Sequence, residues 1–128
     1  MLIMFGALIL GFTLSVSEAF SQDLEKARQQ GKVVVYSSMG SSDVNAVVRA
    51  FERKYPFIKL EPYRTSSEKV LVRLVNEHRA RKFLGDVVTV DGIQSLVLKE
   101  NRVLDRYVSK EATHFLPQWQ DPEGYWTA

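Results

Sequence analysis

The chain has 128 residues, 45% of them apolar and 25% charged, with a net charge of +2. This is a single-domain length with an ordinary globular balance, and so small a charge gives no argument for nucleic acid or an anionic membrane as partner. With no cysteine in the sequence, disulfides, thiolate metal sites, thiol nucleophiles and a lipid-modified amino-terminal cysteine are all excluded.

Residues 2–16, LIMFGALILGFTLSV, carry no charge. The run is shorter than the about 20 residues of a membrane span and fits the apolar core of a secretory signal. Small residues follow at Ser17, Ala19 and Ser21. A signal peptide over 1–21 is therefore expected, although no Lys or Arg precedes the run. The remainder, 22–128, forms the domain.

Residues 22–30 read as a short helix that Gly31 stops. Lys32 to Gly40, KVVVYSSMG, then sets the frame. Its unbroken β-branched and aromatic run suits a strand covered on both faces, as in parallel sheets. Small hydroxyl residues end it. Val44, Val47, Val48, Phe51 and Tyr55 then recur at helical spacing over about 43–55, and Pro56 ends that helix. Residues 57–63 alternate as a second strand, with Pro62 favouring an edge. Thr65 and Glu68 have the spacing of a capping box, so Thr65 is expected to cap a helix running to about Lys82.

Gly85 turns the chain into a third strand over 86–90, with Asp86 as a strand-start residue bonding nearby backbone amides. A helix follows from Ile93 to about Asn101, then a short extended piece at Val103 and Leu104. Asp121-Pro122-Glu123-Gly124 is a turn signal, after which Tyr125-Trp126-Thr127 begins to read as a further strand. Strands alternating with helices give an α/β fold with a mostly parallel sheet flanked by helices.

Ligands of open α/β sheets bind beyond the carboxyl ends of the strands. Here those loops hold Ser37, Ser38 and Met39 after the first strand, Thr65, Ser66 and Ser67 after the second, and Asp91 and Gly92 after the third. Free amides at helix amino termini make such places anion sites, although plain N-capping uses the same residue types. The sequence has no GxSxG, GxGxxG or P-loop. His78 and His114 lack metal-ligand spacing. No catalytic residue, metal ligand or cofactor is assigned, and the reading is of a protein that is not an enzyme.

The ordered set KVVVYSS, AFERKYPFIKLEPYRTSSEKVLVRL, GDVVTVDGIQSLVLKENRVLDRY and DPEGYW resembles the periplasmic solute-binding proteins of ABC importers. The nearest group includes the ferric-iron, polyamine, thiamine and phosphonate binders. The resemblance covers about residues 32–128. It implies two α/β lobes around a ligand cleft, a monomer that captures a small-molecule or metal solute, and docking on a membrane permease. Such proteins are more than twice this length, so this chain corresponds to the first lobe, incomplete at its carboxyl end. The resemblance places an acidic ligand at or near Asp91, puts no histidine in the Ser38–Gly40 loop, and favours the hydroxyls of Thr65–Ser67 for an organic anion. The rivals are a small standalone α/β regulatory or enzymatic domain, for which Ser37 and Ser38 stand where an acidic pair is needed, and a non-functional remnant.

Overall fold

The computed structural model describes residues 24–127; the expected signal peptide lies outside them. The first helix, α1, covers 24–30. Gly31 ends it at φ +69°, and its N–H bonds the Ala27 carbonyl at 3.0 Å, a left-handed conformation that glycine adopts without steric cost. There follow β1 (Lys32–Ser37), α2 (Ser41–Lys54), β2 (Lys59–Arg64), α3 (Ser67–Arg79), β3 (Val87–Thr89) and α4 (Gly92–Glu100). Two 3-10 turns, Lys110–His114 and Pro117–Trp119, complete the order.

The three strands form one parallel sheet in the order β2-β1-β3. Lys32 to Ser37 pair with Lys59 to Arg64, and Val35 to Ser37 with Val87 to Thr89. Because side chains alternate along a strand, Tyr36, Tyr63 and Val88 share one face, and Ser37, Arg64 and Thr89 the other. β2 is an edge strand, which tolerates Pro62. On that strand the Glu52 carboxylate of α2 accepts the Leu60 N–H at 3.3 Å. Asp86 accepts the Val34 N–H at 2.8 Å while its own N–H bonds the Val34 carbonyl, so it extends the ladder ahead of β3.

The core is small: Tyr36, Val44, Ile58, Leu60, Val70, Leu98 and Ala112. Two expectations are corrected here. Val33, Val34 and Val35 are only half-buried, and cover is complete only at Tyr36 and Ser37. Val47 is 46% exposed, because α2 lays a narrower stripe on the sheet, centred on Val44.

Helix α3 stops at Arg79, three residues before the expected end. The Lys82 N–H bonds the Glu77 carbonyl and the Arg81 N–H bonds the His78 carbonyl, with Arg81 at φ 55°. α4 ends the same way, through Val103 to Leu98 and Arg102 to Lys99, with Arg102 at φ 57°. Both are Schellman endings with arginine in the position that glycine usually takes, which is why residue type did not mark the stop.

Beyond α4 the chain is mostly irregular. Val103 and Leu104 pair with no strand among the described residues, since Val103 is spent closing α4. The turn at 121–124 forms as expected, with the Gly124 N–H on the Asp121 carbonyl at 2.9 Å. Tyr125 to Thr127 does not start a strand: the segment folds back on itself, with one antiparallel bridge between Gln120 and Thr127.

Asp121 organises this return. It is 7% exposed. Its carboxylate accepts from Lys99 Nζ at 2.7 Å and from the Tyr125 N–H at 3.0 Å. Burial pushes the Asp121 carboxyl up, but Lys99 and the Tyr125 amide outweigh it and hold it below the ordinary aspartate value of 3.8. A carboxyl lowered in the folded state gives stability that is present above 3.8 and lost as pH falls through the folded value. Lys99 is raised above 10.5, by Asp121 first, against the opposing effect of burial. Its share is present below 10.5 and lost as pH rises through its folded value. Melting curves from pH 2 to 7 are expected to fall off below about 4, and Asp121→Asn should flatten that acid limb. An unchanged limb would place the acid-labile group elsewhere.

Candidate functional site

The parallel order brings the three post-strand loops to one edge of the sheet, and hydrogen bonds tie them together. Ser37 is at the centre. It is 1% exposed, its hydroxyl accepts from Thr89 Oγ1 at 2.7 Å and from the Met39 N–H at 3.1 Å, and its carbonyl accepts the Thr65 N–H at 3.0 Å. A hydroxyl so engaged and buried holds the loops together rather than presenting itself to solvent. Ser38 reaches across to β3, its N–H and its Oγ both donating to the Thr89 carbonyl at 2.9 and 3.3 Å. Met39 is half-buried beside it.

The loop after β2 differs from expectation at each of its three residues. Thr65 does not cap α3. Its N–H prolongs the β-ladder onto Ser37, so its backbone is still part of the sheet edge. The cap is Ser66, extended at φ −70°, ψ 156°, whose hydroxyl accepts the Lys69 N–H at 3.5 Å. Ser67 is 4% exposed, and its hydroxyl accepts the Asp91 N–H at 3.3 Å. That bond locks the start of α3 to the start of α4. Ser66→Ala is accordingly expected to cost about 1 kcal/mol, read as a lower midpoint in urea, while Thr65→Ala should leave the midpoint nearly unchanged.

Asp91 and Gly92 open α4. Asp91 is exposed, and its carboxylate makes no side-chain cap bond to its own helix. Gly92 is exposed, and a Cβ placed there would meet nothing within 4 Å. Gly40 at the start of α2 also lacks a side-chain cap bond. Two helix starts at this edge thus leave first-turn amides without a side-chain partner, and the Asp91 carboxylate stands beside one of them. The edge offers amides, the hydroxyls of Ser38 and Ser66, and two carboxylates, Asp91 at the start of α4 and Asp43 in the first turn of α2. Among the described residues no group of three or more His, Cys, Asp or Glu is placed to hold a metal ion. No described helix is long and apolar enough to cross a membrane.

Two features escaped the sequence reading. Thr89 is the acceptor and donor that holds the first loop, and only the register reveals it. The other is a cluster beneath α3. Tyr36 OH donates to Glu77 Oε1 at 2.8 Å, and Arg73 Nε donates to the same oxygen at 2.8 Å and to Tyr36 OH at 3.1 Å. The Arg73 guanidinium lies 4.2 Å from the Tyr63 ring centroid and 4.9 Å from that of Tyr36. Burial, and then the bond to Glu77, push the Tyr36 phenol up, so it stays a neutral donor. The i, i+4 spacing of Arg73 and Glu77 was the available signal.

No protein-family model and no curated protein matches the sequence. Among solved structures, the chain is similar to Trichodesmium IdiA (FutA), solved in complex with iron and citrate, with a TM-score of 0.65 and 21% identity. The match covers 76% of this chain and 30% of that one. The fold is like part of that iron- and citrate-bound structure. A two-component system protein that mediates signal transduction is also similar, with a TM-score of 0.50, 21% identity, and coverage of 72% of this chain and 30% of the other. The chain thus spans about 30% of the length of these two structures, and at 21% identity the likeness is one of fold.

Proposed function

We propose that residues 22–128 are the first α/β lobe of a two-lobe, extracytoplasmic solute-binding protein, exported by a signal peptide at 1–21 and delivering its solute to an ABC permease. The observation that carries this reading is the convergence of three bonded loops, with two helix starts lacking side-chain caps, at one edge of a lobe whose fold is like that of an iron- and citrate-bound protein. In this reading Ser38, Met39, Thr65, Ser66, Asp91 and Gly92 face the solute, and Ser37 and Ser67 hold the loops that present them. Amides and hydroxyls suit an oxygen-rich anion, or a ferric ion delivered with one, better than a bare metal ion. Capture and release need no covalent step.

The test is citrate and ferric citrate titrated into the isotope-labelled 128-residue chain. Citrate is expected to shift the amide resonances of 38–41, 65–67 and 91–93, with an affinity weaker than about 1 µM, the equivalent of −8.2 kcal/mol, because one wall supplies only part of the contacts. Ferric citrate should broaden the same set. Shifts confined to other residues would remove this edge from the mechanism, and submicromolar binding would remove the need for a second lobe. A regulatory role is the second reading, favoured by the likeness to a two-component system protein. Phosphorylation of Asp91 by acetyl phosphate would select it.

A further inference from the structure

A second recess lies beside the loop after β2, on the first turns of α3. It has a volume of about 390 Å³ and is lined by Tyr63, Glu68, Lys69, Val72 and Arg73. None of the proposed solute-facing residues lines it. Its floor is unusual in how firmly one cation is held. Arg73 Nε is fixed by Glu77 and Tyr36, and the guanidinium carbon lies 4.2 Å from the Tyr63 ring centroid. A guanidinium has five N–H donors in a rigid fork. Two acceptors hold the Nε donor and the Tyr63 hydroxyl can take another, so the terminal nitrogens retain donors. Lys69, one helical turn earlier, adds a second cation to the same wall. Tyr63 and Val72 are 40% and 58% exposed and give the recess an apolar side.

We propose that this recess binds a small monocarboxylate with a flat or short apolar body. The carboxylate takes the free donors of Arg73 and the Lys69 ammonium, and the body lies against Val72 and Tyr63. Arg73 is already ordered, so binding does not have to immobilise it. Glu68 at the same wall disfavours a second negative charge on the ligand, which separates this ligand class from citrate. Glu77 offsets much of the Arg73 charge, so millimolar affinity is expected rather than tighter binding.

The experiment uses benzoate as the probe, with benzamide as its uncharged counterpart, titrated into the 128-residue chain and followed by Val72 methyl and Tyr63 ring resonances. Benzoate is expected to give saturable shifts with a millimolar Kd, and benzamide at least tenfold weaker ones. Lys69→Gln, a surface change, should weaken benzoate at least threefold with the melting temperature unchanged. Arg73→Lys, which keeps the charge but loses the fork, should weaken it about tenfold. Equal binding of benzoate and benzamide, or benzoate shifts at 38–41 and 91–93 instead, would overturn the proposal. So would a Lys69→Gln protein that binds benzoate as the parent does. Shifts at 65–67 adjoin both sites, whereas Val72 and Tyr63 report this recess and 38–41 and 91–93 report the citrate edge, so either site can fail without the other.

Discussion

Gly124→Ala is expected to destabilise the protein by roughly 2–5 kcal/mol, from two additive causes. The first is the backbone. Gly124 sits at φ +80°, where an L-residue pays about 1–2 kcal/mol. The second is space. A Cβ at this position would lie 2.7 Å from Val108 Cγ2, closer than carbon atoms approach, and forcing atoms into an occupied site costs typically 1–3 kcal/mol. The Gly124 carbonyl also accepts the Tyr107 N–H at 2.8 Å, so the turn cannot swing away without breaking that bond. The two causes can be separated by urea denaturation of the double variant. Gly124→Ala with Val108→Ala should recover the part due to the clash and keep the part due to φ. If Gly124→Ala alone melts like the parent, the turn has another conformation open to it.

This turn was legible in the sequence because Asp-Pro-x-Gly restricts the backbone locally, whatever packs around it. Gly31 and Pro56 were legible for the same reason, and so was the parallel order, which follows from alternating periodicities. What the sequence left open was decided by distant partners. Thr65-x-x-Glu68 and Ser66-x-x-Lys69 both offer a hydroxyl three residues before a helical amide. The choice fell to Ser66 because the Thr65 N–H is taken by the Ser37 carbonyl, a bond between residues 28 apart in sequence. Ser67 reads as a free loop hydroxyl, yet it is buried by its bond to the Asp91 amide. Val103 and Leu104 have strand-forming side chains, but the ending of α4 uses the Val103 N–H. The convergence of the three loops at one edge of the sheet was therefore legible, because it follows from the parallel order. The division between residues that build it and residues left open to solvent came only from the hydrogen bonds.

That division gives α4 a double task, and Leu98→Ala tests it. Leu98 is 0% exposed, and α4 packs against α3. Removing a fully buried leucine side chain costs about 2–5 kcal/mol, made up of lost transfer energy and the cavity left behind. For a domain of this size 1 kcal/mol is about 4–8 °C in melting temperature, so Leu98→Ala should melt at least about 8 °C below the parent. Leu98→Met, which conserves volume, should cost less than about 1.5 kcal/mol. The consequence should extend to the other end of the helix. α4 carries Asp91 and Gly92 at its start, and the Ser67–Asp91 bond of 3.3 Å fixes that start to α3. A helix loosened at Leu98 should strain this bond, so amide exchange at Asp91 should quicken in Leu98→Ala more than in Leu98→Met. Citrate shifts at 91–93 should shrink in the same order, while those at 38–41 persist. Loss of stability with unchanged exchange at Asp91 would show that the Ser67 bond and the core of α4 are independent, and that the candidate edge does not draw its rigidity from Leu98.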